Sequence, residues 1–111
     1  MKYIKTFESN TIFKKYVVWK DKTWKDKNKN VFIIFEVEDD IFVLGTTLCQ
    51  FKKLYLYYPD SNILREQPDN TIFPFNEDEV KEHVIYESDS LGELLDIDFL
   101  ESLFNADKYN L

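Results

Sequence analysis

Apolar residues crowd most densely between Val31 and Leu48, in the stretch V-F-I-I-F-E-V-E-D-D-I-F-V-L-G-T-T-L. In an extended strand, side chains alternate between faces, so Val31, Ile33, Phe35 and Val37 share one side and Phe32 and Ile34 the other. Glu36 and Glu38 continue the second side. The first run is therefore apolar on both faces at its start and polar on one face at its end. Ile41, Phe42, Val43 and Leu44 repeat the two-faced pattern. Runs of this kind suit strands covered on both sides, or strands inside a small curled barrel. With Glu38-Asp39-Asp40 read as an acidic turn, the stretch predicts a central hairpin, and its β-branched and aromatic enrichment argues against a helix.

Around that hairpin the remaining pattern places further elements. Tyr3, Ile4 and Phe7 fall at i, i+1, i+4, which suggests a helical start. Ile12 to Lys20 reads as a strand with Phe13, Val17 and Trp19 inward, and Asp21 to Asn30 as a polar loop. Gly45 marks the end of the second central run or a bend in it. Lys53 to Tyr58 predicts a strand with Leu54 and Leu56 on one face and Tyr55 and Tyr57 on the other. Pro59-Asp60-Ser61-Asn62 is a turn, and Ile63-Leu64-Arg65 a short returning partner. Thr71 to Phe75 is extended, with Pro74 confining it to an edge. Asn76 to Glu82 reads as an exposed acidic segment, and His83 to Glu87 as a last strand. Ser90, followed three residues later by Glu93, matches a capping box. Leu91, Leu94 and Leu95 give the first apolar stripe. Asp96 or Asp98 would cap a continuation over Phe99 to Asn105, with Ala106 to Leu111 as a fraying tail. The assembled expectation is an α+β domain, 1–111: a mainly antiparallel five- or six-stranded sheet or half-barrel with a C-terminal helix packed on one side.

Composition narrows the function classes. The 111 residues suit one domain, and an apolar content of 44% with ten Phe and seven Tyr argues against disorder. No run reaches the roughly 18 apolar residues of a membrane span. M-K-Y-I-K-T-F-E lacks the long apolar centre of a signal peptide, and Cys49 is the single cysteine, so a reduced, cytoplasmic setting is expected. The net charge of −7 is unevenly spread: residues 1–30 hold nine Lys against Glu8, Asp21 and Asp26, while residues 60–111 hold fourteen acids against Arg65, Lys81 and Lys108. The two halves either pair within the fold or leave one basic and one acidic surface.

Candidate chemistry is sparse. His83 is the only histidine. Cys49 lies among Leu48, Gln50 and Phe51, the setting of a buried thiol more than of a nucleophile. Neither Gly45 nor Gly92 belongs to a phosphate-cradling loop. The three acids at 38–40 lack the spacing and central glycine of a calcium loop. An enzyme is not expected, and neither is a cofactor or metal.

Two surfaces carry binding readings. Fourteen acids in the C-terminal half, with Tyr55, Tyr57, Tyr58 and Tyr86 taken as exposed near Glu77, Asp78 and Glu79, form a candidate protein-binding surface for a basic partner, against the alternative of ordinary solubilising charge. Trp19, Lys20, Lys22, Trp24, Lys25, Lys27 and Lys29 interleave indoles with ammonium groups. That arrangement is a candidate for stacking on and neutralising single-stranded nucleic acid, against a solvated loop with Trp19 in the core. A third class is an assembly subunit pairing through an open sheet edge, so monomer and homodimer both stay open.

The opening M-K-Y-I-K-T-F-E and the segment V-I-Y-E-S-D-S-L-G-E-L-L-D, Val84 to Asp96, resemble short uncharacterised proteins of tailed bacteriophages. Together they cover about a fifth of the chain, and the Lys, Asn, Phe, Ile and Tyr bias fits an AT-rich genome. The resemblance transfers no site residue. It implies no activity of its own, but small acidic phage proteins often act by binding and inhibiting host factors, which favours the binding reading.

Overall fold

Strand β2 (Val31–Val37) is buried on both faces over its first five residues, and the rest of the molecule is arranged around it. The structure, a computed structural model, describes residues 13–21, 31–67 and 71–109. The expected helical start and the loop positions Lys22, Trp24, Lys25, Lys27 and Lys29 lie outside the described residues.

Along the chain follow β1 (Tyr16–Asp21), β2, β3 (Ile41–Val43), β4 (Thr46–Tyr58), β5 (Ile63–Glu66), β6 (Ile72–Phe75), α1 (Glu77–His83), β7 (Val84–Ser88), α2 (Leu91–Leu94) and α3 (Ile97–Tyr109). The described strands form one seven-stranded sheet in the order β3-β4-β2-β1-β7, with β5 and β6 also paired to β4. Every pairing is antiparallel. The sheet is not closed, and the α+β class holds.

The two faces of β2 divide the core as the alternation requires. Val31, Ile33 and Phe35 join Val17, Trp19, Cys49, Phe51 and Val80 in one cluster. Phe32 and Ile34 join Val18, Tyr57, Leu94 and Leu100 in the other. Helix α1 covers the first face through Val80, and α2 and α3 cover the second through Leu94, Leu100 and Phe104. Helices thus lie on both sides of the sheet, where only one side was expected to be covered. The N-terminal acids of α1 explain why it was missed. Read as solvated charge, Glu77-Asp78-Glu79 are helix-starting residues that favour the positive end of the peptide dipoles. Cap positions at the C-terminal helices agree with the sequence: Ser90 Oγ accepts from the Glu93 N–H at 3.3 Å, and Asp96 Oδ1 from the Asp98 N–H at 2.9 Å. Helix α3 runs on through Tyr109, past the expected start of a fraying tail.

The central hairpin requires correction. The partner of β2 is β4, with Phe32 opposite Tyr57 and Val37 opposite Phe51. Beyond Val37 the same register resumes in β3, where Ile41 faces Leu48 and Val43 faces Thr46. Between Val37↔Phe51 and Ile41↔Leu48 stand residues 38–40 on one side against 49–50 on the other, one residue in excess, which is a bulge. Glu38-Asp39-Asp40 is therefore an interruption within one long arm, held by Glu38 N–H donating to Gln50 O at 2.8 Å and Gln50 Nε2 to Asp39 O at 2.6 Å. The reversal comes later, at Leu44-Gly45, whose φ angles of 51° and 80° are both positive, as a two-residue primed turn demands. Ile41, Phe42, Val43 and Leu44, read as buried, are exposed. Pro59–Asn62 and the edge position of β6, with Pro74 opposite Gln50, agree with expectation.

Candidate interaction surface

The acidic candidates sit on a helix whose start is built by its own side chains. Asn76 Oδ1 accepts from the Glu79 N–H at 2.8 Å, and Glu79 Oε1 accepts from the Asn76 N–H at 3.2 Å. This reciprocal cap satisfies two donors that a helix terminus leaves open. Glu77, Asp78 and Glu79 are all exposed, and Lys81 Nζ reaches Glu77 Oε1 at 3.6 Å. Farther along, Glu82, Asp89, Glu93, Asp96, Asp98 and Glu101 are also exposed, and Lys81 is the only Lys or Arg between 71 and 106. Beside the β1–β7 ladder, the backbone of the N-terminal segment bonds two of the acids here: the Lys14 N–H donates to Glu87 Oε1 at 2.9 Å and the Lys15 N–H to Asp89 Oδ1 at 3.1 Å.

The tyrosines do not join the α1 acids in one patch. Tyr57 is fully buried, donates its hydroxyl to Asn62 Oδ1, and has its pKa raised by burial and then by Glu101. It packs with Phe32 beneath the C-terminal helices, 6.1 Å between ring centroids. Tyr55 and Tyr86 lie half-buried on that same face. Tyr86 stacks obliquely on Phe99 at 5.1 Å, and its hydroxyl donates to Glu93 Oε1 at 3.1 Å, a bond that raises its pKa. Tyr58 packs against the opposite cluster, the one α1 covers. The expectation of four exposed tyrosines fails because alternation on β4 turns Tyr55 and Tyr57 toward helices that were expected elsewhere.

Of the Lys/Trp candidates, Lys20 is half-buried at the end of β1, and Trp19 is buried. The Trp19 indole stacks on His83 at 4.6 Å and 6°, lies 4.3 Å from Phe75, and meets Phe35 and Phe51 edge-on. These contacts hold the Trp19 indole in the core rather than on the surface.

His83 and Cys49 are likewise occupied. The imidazole, on the last residue of α1, stacks on Trp19 and has Nδ1 2.9 Å from Glu79 O one turn earlier. Burial, followed by the charges of Asp40 and Glu77, pushes the Cys49 thiol up to about 12, which leaves it protonated and unreactive at neutral pH. A cleft of about 210 Å³ opens over Trp19, Phe35, Phe73 and Phe75, with Lys53 Nζ 5.0 Å above the Phe73 ring. It is smaller than the roughly 300–1,000 Å³ of typical ligand sites. Among the described residues no group of three or more His, Cys, Asp or Glu side chains converges on a metal position, and no helix is long and apolar enough to cross a membrane.

One surface feature escaped sequence reasoning: the exposed apolar turn at Ile41–Leu44. Its signal was present in Val43-Leu44-Gly45-Thr46, where two β-branched residues flank a two-residue loop whose glycine suits the second position of a primed turn. No family model, curated protein or solved structure matches this chain.

Proposed function

We propose that the chain is a non-enzymatic acidic binding module whose target is a basic protein, acting as an inhibitor of it in the manner of small phage proteins. The observation that supports this most is the run of exposed carboxylates on both sides of the sheet, Glu77, Asp78, Glu79 and Glu82 on α1 and Asp89, Glu93, Asp96, Asp98 and Glu101 at α2 and α3, balanced between 71 and 106 by Lys81 alone. Such a field draws a cationic partner at rates that fall steeply with salt. The internal engagement of His83 and Cys49 supports the non-enzymatic part of the reading. With the tyrosines packed beneath helices, the carboxylates rather than aromatic anchors carry the electrostatic contribution. The test is affinity capture from the native host at two salt concentrations, with wild type beside the triple variant Glu77→Lys, Asp78→Lys, Glu79→Lys. A basic partner recovered at low salt, weakened at high salt and lost in the triple variant is the expected result. Equal recovery by the triple variant overturns the reading.

A further inference from the structure

The ribbon made by β3 and the first residues of β4 extends past the rest of the sheet. Thr46, Thr47 and Leu48 pair with β3 alone, whereas β6 joins β4 only from Cys49 onward and β2 only from Phe51 onward. On this ribbon Phe42 is 72% and Leu44 99% exposed, with Ile41 and Val43 also open to solvent. Phe42 stands opposite Thr47 on one face, and Ile41 and Val43 stand on the other. Both faces of the tip are thus apolar and uncovered among the described residues. Two-stranded ribbons gain little stability alone, so an apolar one standing in water calls for a reason.

Leu44 sharpens the point. Its φ of 51° is a conformation in which a β-carbon is strained, and the first position of a primed turn ordinarily takes Asn, Asp or Gly. Leu44 brings that strain without any packing to offset it. A strained, fully exposed apolar side chain at a projecting turn is the kind of outlier from which a binding role is argued.

The charge at the ribbon's root identifies the occupant. Glu38, Asp39 and Asp40 lead directly into β3, and Glu77 follows two residues after Phe75, the cross-strand partner of Cys49 next to the ribbon's root. A tip made for an anionic bilayer carries Lys or Arg at its flanks, and this one carries carboxylates. Pairing of two such ribbons edge to edge engages three strand residues per copy, far short of the roughly 800 Å² per partner of a stable interface. We infer that the Ile41–Leu44 turn is a wedge that enters an apolar pocket on a protein whose pocket rim is basic, with Phe42 and Leu44 as anchors and Glu38, Asp39, Asp40 and Glu77 meeting the rim. This rests on the acidic-module reading above and adds the point of insertion.

The test uses the full chain carrying the photo-cross-linking residue p-benzoylphenylalanine in place of Phe42, irradiated in native host extract, followed by purification of the cross-linked protein. That protein is then titrated calorimetrically with wild type, with Phe42→Ser plus Leu44→Asn, and with the Glu77, Asp78, Glu79 triple reversal. Expected is a basic partner whose affinity falls about 30-fold or more in the tip variant, the scale of a hot-spot truncation. Binding within threefold of wild type in the tip variant, together with loss in the charge variant, overturns the wedge and leaves the acidic module standing. Undiminished binding in both overturns both. Failure to cross-link any protein from position 42 overturns the wedge. So does tip-dependent co-sedimentation with phosphatidylcholine/phosphatidylglycerol vesicles, or a tip-dependent dimer in sedimentation. Thermal melts of the variants verify that each is folded.

Discussion

Leu44→Asn is predicted to make this protein more stable. The left-handed backbone at φ 51° costs a residue with a β-carbon about 1–2 kcal/mol, and Asn relieves part of that through its local hydrogen bonding. Leu44 is 99% exposed, so its removal surrenders no packing. The expected net gain is about 0.5–1 kcal/mol, which in a domain of this size raises Tm by about 2–6 °C. Thermal and urea denaturation followed by far-UV circular dichroism reads it, with the urea slope unchanged so that the midpoint shift reports stability. Gly45→Ala is the opposing control. At φ 80° an added β-carbon meets no atom within 4 Å, so the loss of about 1–2 kcal/mol is conformational alone. If Leu44→Asn lowers Tm, or if both substitutions move it in one direction, the two-residue turn at 44–45 is wrong. A stabilising replacement at an anchor position would also show that Leu44 is kept at the expense of stability, as binding residues often are.

Other predictions address the interior and the cap. Trp19→Ala removes the ring that contacts His83, Phe35, Phe51 and Phe75 and should lose about 3–5 kcal/mol, visible as a large fall in urea midpoint; a loss under 1 kcal/mol would place the indole at the surface. Asn76→Ala removes one side of the reciprocal cap on α1 and should cost about 1 kcal/mol in the same assay, whereas no change would mean the cap does not hold the helix start. Cys49 should resist a disulfide reagent at pH 8 in the native protein and react on addition of denaturant. Because its thiol ionises near 9.0 when unfolded and near 12 when folded, its contribution to stability is present below pH 9 and lost as pH rises toward 12. Cys49→Ala should flatten that alkaline decline, and an unchanged decline would assign it to other groups.

Period-two alternation was enough to place β2 and to sort its residues onto two faces, because strand geometry leaves no other choice for V-F-I-I-F. Turn chemistry located Pro59–Asn62, and cap residues located α2 and α3. The reversal of the long hairpin was misplaced for a physical reason: three consecutive acids are ordinary turn residues, yet a bulge accommodates them equally well inside a strand. Helix α1 was hidden because its seven residues contain one fully apolar anchor, Val80, too few to show a period. The tyrosine surface was misread for a tertiary reason, since which face of β4 meets helices depends on packing that alternation does not encode.

Strand β2 has large apolar groups on both sides, so sliding it by one position against β4 would replace one oily set with another and leave water with no preference. Solvent thus gives this pair no index, and geometry has to supply it. Two offsets do: Leu54 is skipped where the ladder steps from Ile34↔Tyr55 to Phe35↔Lys53, and residues 38–40 restore the count on the opposite arm. Trimming Leu54 together with one of those three acids would straighten both rails and free them to shuttle. The paired irregularities act as teeth, and the sheet locks because they mesh in a single seating.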